Sequence, residues 1–404
     1  MMFREKSSCK YTVKMILKKM PNINLPQINF ITEILILFLS VKGRMNFLQL
    51  ERYGERCEQS YRSNFAKPFD FLSFNQHLIE DQGSISSIIA FDPSHVPKAG
   101  KCTYGVGYFW SGVAGASKWG LEIGGIAAVD VNANTAYHLE AVQTPVSSPD
   151  GDTLLKHYTK ILVERKEQLL SISKYVVADA YFSKHHFVST LMDNEFHVIS
   201  RLRNDADLLY RYTGVLSGGR GRPKKYEGKV EYNKLRNDYF SFIKIDELNM
   251  SFEGIVYSKS LKRKIKLVGV ITEKKGKKSH KLYFSTDLEM AAEEVLKNYR
   301  ARFQIEFLFR DAKQHAGLNH CQARDLEKLY FHWNASLTSV NLAKVLHWEN
   351  QNEKKEPFSM ADVKTFYNNQ LMLSRFLTKF GIRPDKPKNK QKIRELMSYG
   401  ARAA

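Results

Sequence analysis

YVVADAYF, residues 175–182, is an apolar run that ends on an aspartate, and its place in the chain decides how the fold is read. Ahead of it lie SSIIAFD (86–92), YGVGYFWSGV (104–113), GGIAAVDV (124–131) and AYHLEAVQT (136–144). All are dense in β-branched and aromatic residues and are bounded by Gly, Asn or Pro, the pattern of strands. The second is broken by glycines and reads equally as a connector. GDTLLKHYTKILVERKEQLLSI (151–172) predicts one helix before YVVADAYF, and a short helix then leads to FHVISRLR (196–203). Three strands in succession, followed by alternating helix and strand, is an α/β order.

That order is the one found in a ribonuclease-H-like core, where strands one and four are neighbours. Asp92 ends the first apolar run and Asp179 ends the fourth. A strand-terminal aspartate is commonly a turn or cap residue, but two on adjacent strands would converge. Converging carboxylates repel unless one is protonated or a hard cation sits among them. Magnesium with oxygen ligands meets that need, and a pair of such ions can clamp the attacking and leaving oxygens of a phosphoryl transfer.

The third carboxylate comes from NYRARFQIEFLFRDAK (298–313). At 100° per residue, with Tyr299 at zero, Arg302, Glu306 and Lys313 fall at about 300°, 340° and 320°, on one face. Ala301, Ile305, Leu308 and Ala312 collect at roughly 180° to 240°, a stripe suited to packing on a sheet. Solvated i, i+4 ion pairs such as Arg302 with Glu306 account for the polar face as simply as catalysis does. Upstream, Thr286 followed by Glu289 predicts a capping box at the start of this helix.

The spacing Tyr299-x2-Arg302-x3-Glu306-x6-Lys313 resembles the tyrosine-arginine-glutamate-lysine signature of the insertion-sequence-4 family of DDE transposases. VVADAYFSK and FDPSHVPKAGKCTYGVG are similar to that family's two aspartate motifs, so the likeness runs from about residue 30 to 317. It implies Asp92, Asp179 and Glu306 as catalytic residues and metal ligands, with two Mg2+ ions that Mn2+ can replace. Tyr299, Arg302 and Lys313 would position DNA phosphates. It further implies cut-and-paste transposition by a homodimer that synapses terminal inverted repeats and joins 3′ hydroxyls to target DNA. Two rival readings share the fold: a silent or domesticated DNA-binding derivative, and a structure-selective nuclease. Some relatives stack a flipped base on a tryptophan of a β insertion, whereas Trp110, Trp119, Trp333 and Trp348 lie outside the corresponding segment here.

Charge agrees with a polyanionic partner. Lys+Arg 62 against Asp+Glu 42 gives +20 over 404 residues, a self-repulsion that nucleic acid would neutralise. FITEILILFLSV (30–41) is too short to span a bilayer and carries Glu33, so no membrane role is expected. No secretory signal is read at the N-terminus, and the expected location is the cytoplasm, at the nucleoid when DNA is bound. Cys9, Cys57, Cys102 and Cys321 are scattered, without a C-x-x-C pair, which argues against a disulfide framework or zinc knuckle.

These readings divide the chain into a helical DNA-binding region (1–82), catalytic segments at 83–203 and 285–345, a basic β-rich insertion (204–284), and a helical end with a basic tail (346–404). A helical bundle without DNA contacts fits 1–82 as well. Within the insertion, GGRGRPKK (218–225) resembles an AT-hook core, which makes Arg220, Arg222, Lys224 and Lys225 candidate DNA contacts; a solvated loop is the plainer alternative. His185, His186, His315 and His320 lack a matched ligand pair and read as structural or surface residues.

Overall fold

The computed structural model describes residues 9–81, 87–146, 153–214, 223–244, 249–274, 277–349, 357–384 and 386–401. It opens with α1 (Cys9–Lys19), α2 (Leu25–Ser40), α3 (Phe47–Tyr53), α4 (Glu58–Phe65) and α5 (Phe71–Glu80). Asn24, Asn46 and Asp70 each accept a hydrogen bond from the backbone N–H three residues on, satisfying donors that a helix start leaves open. The apolar run in α2 is buried, and its one acid is fully engaged. Glu33 accepts from the Tyr61 hydroxyl, the Glu55 N–H (2.9 Å) and the Arg56 guanidinium (2.7 Å). Among the described residues no helix is long and apolar enough to cross a membrane.

Next come β1 (Ser87–Pro97), β2 (Gly107–Ser111), β3 (Ala116–Asp130), β4 (Thr135–Gln143), α6 (Leu154–Val163), α7 (Lys166–Ile172), β5 (Tyr175–Val177), α8 (His185–Asp193) and β6 (His197–Leu202). β3 pairs antiparallel with β1 and β4, while β5 pairs parallel with both β1 and β6. The helix predicted over 151–172 is broken at Glu164 and Arg165. Arg165 turns inward to form an ion pair with Glu140 on β4 and also donates to the Ile161 carbonyl (3.0 Å). A charge pair buried beside the sheet outweighs the continuity of one exposed helix.

The segment 204–284 contributes β7 (Leu208–Arg211), β8 (Tyr226–Lys229), β9 (Ser241–Lys244), β10 (Asn249–Ser258), β11 (Arg263–Lys274) and β12 (Lys277–Ser285). β12 pairs antiparallel with β6, from Leu202 opposite Leu282 to Ile199 opposite Ser285, so all twelve described strands form one mostly antiparallel sheet. Thr286 does not cap a helix. It prolongs the β6 edge, donating its backbone N–H to the Val198 carbonyl (3.0 Å) and accepting from the Val198 N–H at Oγ1 (2.8 Å).

The remaining helices are α9 (Ala292–Ala301), α10 (Gln304–His315), α11 (Leu326–Glu349), α12 (Met360–Lys379) and α13 (Pro387–Met397). α11 carries asparagines on an otherwise buried surface because it covers the outer edge of β4. Asn334 Oδ1 accepts from the Ala141 N–H (2.8 Å) and its Nδ2 donates to the Ala141 carbonyl (2.9 Å). One turn pair further on, Asn341 makes the same two contacts with His138, each at 2.7 Å. Two side-chain amides thus stand in for the missing neighbour of an edge strand.

Candidate active site

The parallel register pairs Ile89 with Val176 and Ala90 with Val177, which sets Asp92 and Asp179 at the same level, each three residues beyond Ile89 and Val176. β1 does not stop at Asp92 but runs on to Pro97 with β3 alone beside it, an edge position where Pro93 is tolerated. Asp179 leaves its strand in extended conformation, and Oδ1 caps the short 3₁₀ turn Ala180–Phe182 through the Tyr181 N–H (2.8 Å).

α10 lies over this end of the sheet, and the reason is legible in a pair of glycines. Gly125 stands opposite Asp92 on β3, and a Cβ there would meet the Phe309 ring at 2.5 Å. Gly124 serves the other face, where a Cβ would meet Phe91 at 2.9 Å. With Gly125, Phe309 can press against the strands and Glu306, one turn earlier, is carried towards Asp92. The stripe read from the sequence is the packed face: Ala301, Ile305, Leu308 and Ala312 are all buried.

The helix itself is not continuous. Between α9 and α10 the bonds shorten to i→i−3 steps, from the N–H of Phe303 to Arg300, of Ile305 to Arg302 and of Glu306 to Phe303. This tightening leaves Arg302 at the turn, where its guanidinium reaches Asp92 (3.4 Å) and Glu306 (3.0 Å) together. The i, i+4 ion pair is therefore present, extended to a second carboxylate. Burial pushes Asp92 up to about 7; Arg302 opposes this, while Asp179, Glu306 and Glu122 add to it. Burial alone would drive Arg302 down, but Asp92, Tyr299 and Glu306 outweigh it and hold it above its ordinary value.

Lys313 is half-buried and tied to the strand, donating to Ser94 Oγ (2.9 Å) and the His95 carbonyl (2.8 Å). Burial lowers its affinity for a proton, and Asp92 partly restores it. Tyr299 packs on Tyr283 (ring centroids 4.9 Å) with the Arg302 guanidinium 5.9 Å from its ring. Asp92, Asp179, Glu306, Tyr299, Arg302 and Lys313 thus share one end of the sheet. Among the described residues no three His, Cys, Asp or Glu side chains stand close enough, as placed, to grip one metal ion. Arg302 holds the position between Asp92 and Glu306.

Lys224 and Lys225 lie elsewhere, beside β8. Seven strand steps separate β8 from β1 in the order β1-β5-β6-β12-β11-β10-β7-β8, about 34 Å along the sheet at 4.8 Å per strand. Lys224 pairs with Glu227 (3.2 Å) and lies over the Tyr212 ring. Arg220 and Arg222 lie outside the described residues. Two of the four histidines have structural partners: His185 with the Leu261 carbonyl and Ser189, His320 with the Met45 N–H. Glu122 is a buried carboxylate that sequence reading passed over. It accepts from the Tyr158 hydroxyl and acts on Asp92 through its charge; the signal for it is a lone acid within the apolar run GLEIGGIAAV (120–129).

A family model described as a transposase DDE domain matches residues 84–342, more than half of the chain, a span that includes every residue of this cluster. No curated protein matches the chain.

Proposed function

The chain belongs to the transposase DDE-domain family, and from that premise we propose that it is a cut-and-paste DNA transposase of the insertion-sequence-4 type. In this reading it binds terminal inverted repeats as a homodimer, cleaves transposon ends and joins their 3′ hydroxyls to target DNA. The order β4-β3-β1-β5-β6, with β1, β5 and β6 parallel, supports a ribonuclease-H-like core. The Tyr299, Arg302, Glu306 and Lys313 spacing supports the narrower family.

The observation that carries the reading is the gathering of Asp92, Asp179 and Glu306 at one sheet end, with Asp92 pushed up to about 7 by burial, against Arg302 and with the added charge of its acidic neighbours. A donor set made only of carboxylate oxygens, bridged as it stands by the Arg302 guanidinium, fits a hard divalent cation in that group's place. Asp92, Asp179 and Glu306 would hold Mg2+, which when bound lowers the barrier for water or a hydroxyl to attack a phosphate. Arg302, relieved of the carboxylates by such a cation, has a planar fork suited to a phosphate. Tyr299 stacks beside it and fixes its approach. Lys313, bonded to β1 at Ser94 and His95, holds α10 against the strand that carries Asp92. The surplus of +20 draws DNA to the protein.

The test is cleavage of a duplex bearing the transposon end. Wild type should cut it with Mg2+ or Mn2+ and bind without cutting in Ca2+. Asp92→Asn, Asp179→Asn and Glu306→Gln should each lose cleavage while retaining the duplex. Near wild-type cutting by any of the three removes that residue from the site. Binding by wild type without cleavage under every metal would instead indicate a DNA-binding derivative.

A further inference from the structure

Beyond Gly120, β3 has only β2 beside it: the pairs Gly107–Gly120 to Ser111–Ala116 form a two-stranded ribbon projecting past the end of β1. Its residues alternate, with Gly107, Phe109 and Ser111 buried and Tyr108 and Trp110 turned to water. Tyr108 is 71% exposed and Trp110 62%. Trp119 stands directly opposite Tyr108, its ring 5.3 Å away and nearly perpendicular. Three large aromatic rings on one face of a thin ribbon cost free energy in water, and such exposure marks a binding surface.

Charge narrows the partner. Residues 93 to 121 contain no aspartate or glutamate, and exposed Lys101 follows Gly100, whose carbonyl accepts from the Trp119 indole (3.4 Å); exposed Lys118, opposite Phe109, lies on the other face of the ribbon. Lys98 instead anchors the ribbon's base, donating to the carbonyls of Cys321 (2.6 Å) and Ala323 (2.7 Å). Aromatic faces bordered by a lysine, in a segment without an acid, fit a strand of nucleic acid whose bases stack while its phosphates meet positive charge at the ribbon's border. A duplex hides its base faces, so the strand must be unpaired. From Trp119 to Gly125, the partner of Asp92, β3 advances six residues, or about 20 Å. At about 3.4 Å per nucleotide that is roughly six nucleotides.

We propose that the ribbon face bearing Tyr108, Trp110 and Trp119 binds unpaired DNA by base stacking, about six nucleotides from the phosphate handled at Asp92. This rests on the transposase reading and adds to it a site for the opened strand, separate from the carboxylates.

The test titrates the full chain with oligo-dT and with a blunt duplex of equal length, following tryptophan fluorescence and oligomeric state. Wild type should bind both. Tyr108→Ala/Trp110→Ala/Trp119→Ala should bind oligo-dT at least about tenfold more weakly, with duplex affinity within about twofold. Replacing the same three residues by Phe should restore most of the loss, since stacking needs a ring and not a particular one. An alanine variant with unchanged oligo-dT affinity overturns the proposal. So does equal loss on both DNAs, or a fall in oligomeric state with oligo-dT binding intact, which would make the ribbon a contact between copies of the chain. Wild type that binds duplex alone sinks the ribbon and spares the transposase reading; binding of neither DNA sinks both.

Discussion

Arg302 and Lys313 at one end of the sheet, and Lys224 and Lys225 at the other, are cations of the same kind in opposite circumstances. Arg302 is largely buried and Lys313 half-buried, each between two named acceptors. Lys224 and Lys225 are exposed. Burial makes a charge part of the framework, because the cost of removing it from water must be returned by fixed partners. Exposure makes a charge available but cheap, screened by salt and nearly neutral in stability. These basic residues therefore divide into cations fixed by buried partners and cations left facing water.

The largest effect expected from that division is a dependence of stability on pH at the carboxylate end. Asp92 is raised to about 7 from an ordinary value near 4, so the metal-free fold binds its proton more tightly than the unfolded chain does. The resulting stabilisation is complete below the unfolded value and is lost as pH rises through about 7, on the order of 4 kcal/mol at most. Denaturant melts of metal-free wild type and Asp92→Asn across that window should differ by this slope. Added Mg2+ should restore wild type at high pH and leave Asp92→Asn unmoved. A slope shared by both proteins would mean that Arg302 already neutralises the cluster.

Lys313→Ala comes next. It leaves the His95 carbonyl and Ser94 without their donor and opens space under α10, at a cost of about 2 to 3 kcal/mol in urea unfolding. Lys224→Ala should stay within about 0.5 kcal/mol. Equal losses would erase the distinction between the two regions.

The smallest effect concerns salt. Lys224→Ala/Lys225→Ala should leave stability alone and reduce the slope of log affinity for duplex DNA against log salt by up to about 1.8, if each lysine meets one phosphate. An unchanged slope would place both lysines away from the DNA path.

Much of the carboxylate end was legible because buried parallel strands are written as unbroken apolar runs, and both runs close on an aspartate. The packed stripe of α9 and α10 was legible from periodicity. The break between those helices was not, since Arg302 leaves the regular helix for two acceptors, one of them contributed by a strand 210 positions away in sequence. Thr286 misled for a related reason: its local pattern is a cap, but the edge of β6 claimed it first. Asn334 and Asn341 drew no reading from the sequence, because their purpose exists only once β4 has an open edge. In each case what was hidden was a partner distant in sequence.

The seam between β6 and β12 has an evolutionary consequence. Leu202 and Leu282 face each other there, with Cα atoms about 5 Å apart as in any antiparallel pair. From one leucine the chain runs on into strands β7 to β12 of the same sheet and returns beside its starting point at the other, so a turn of about two residues could join them directly. Everything between is a cassette with adjoining ends. Lineages could lengthen it, shorten it or exchange it for another insert while Asp92, Asp179 and Glu306 kept their common frame, and a deletion across that seam is how such a history could be replayed at the bench.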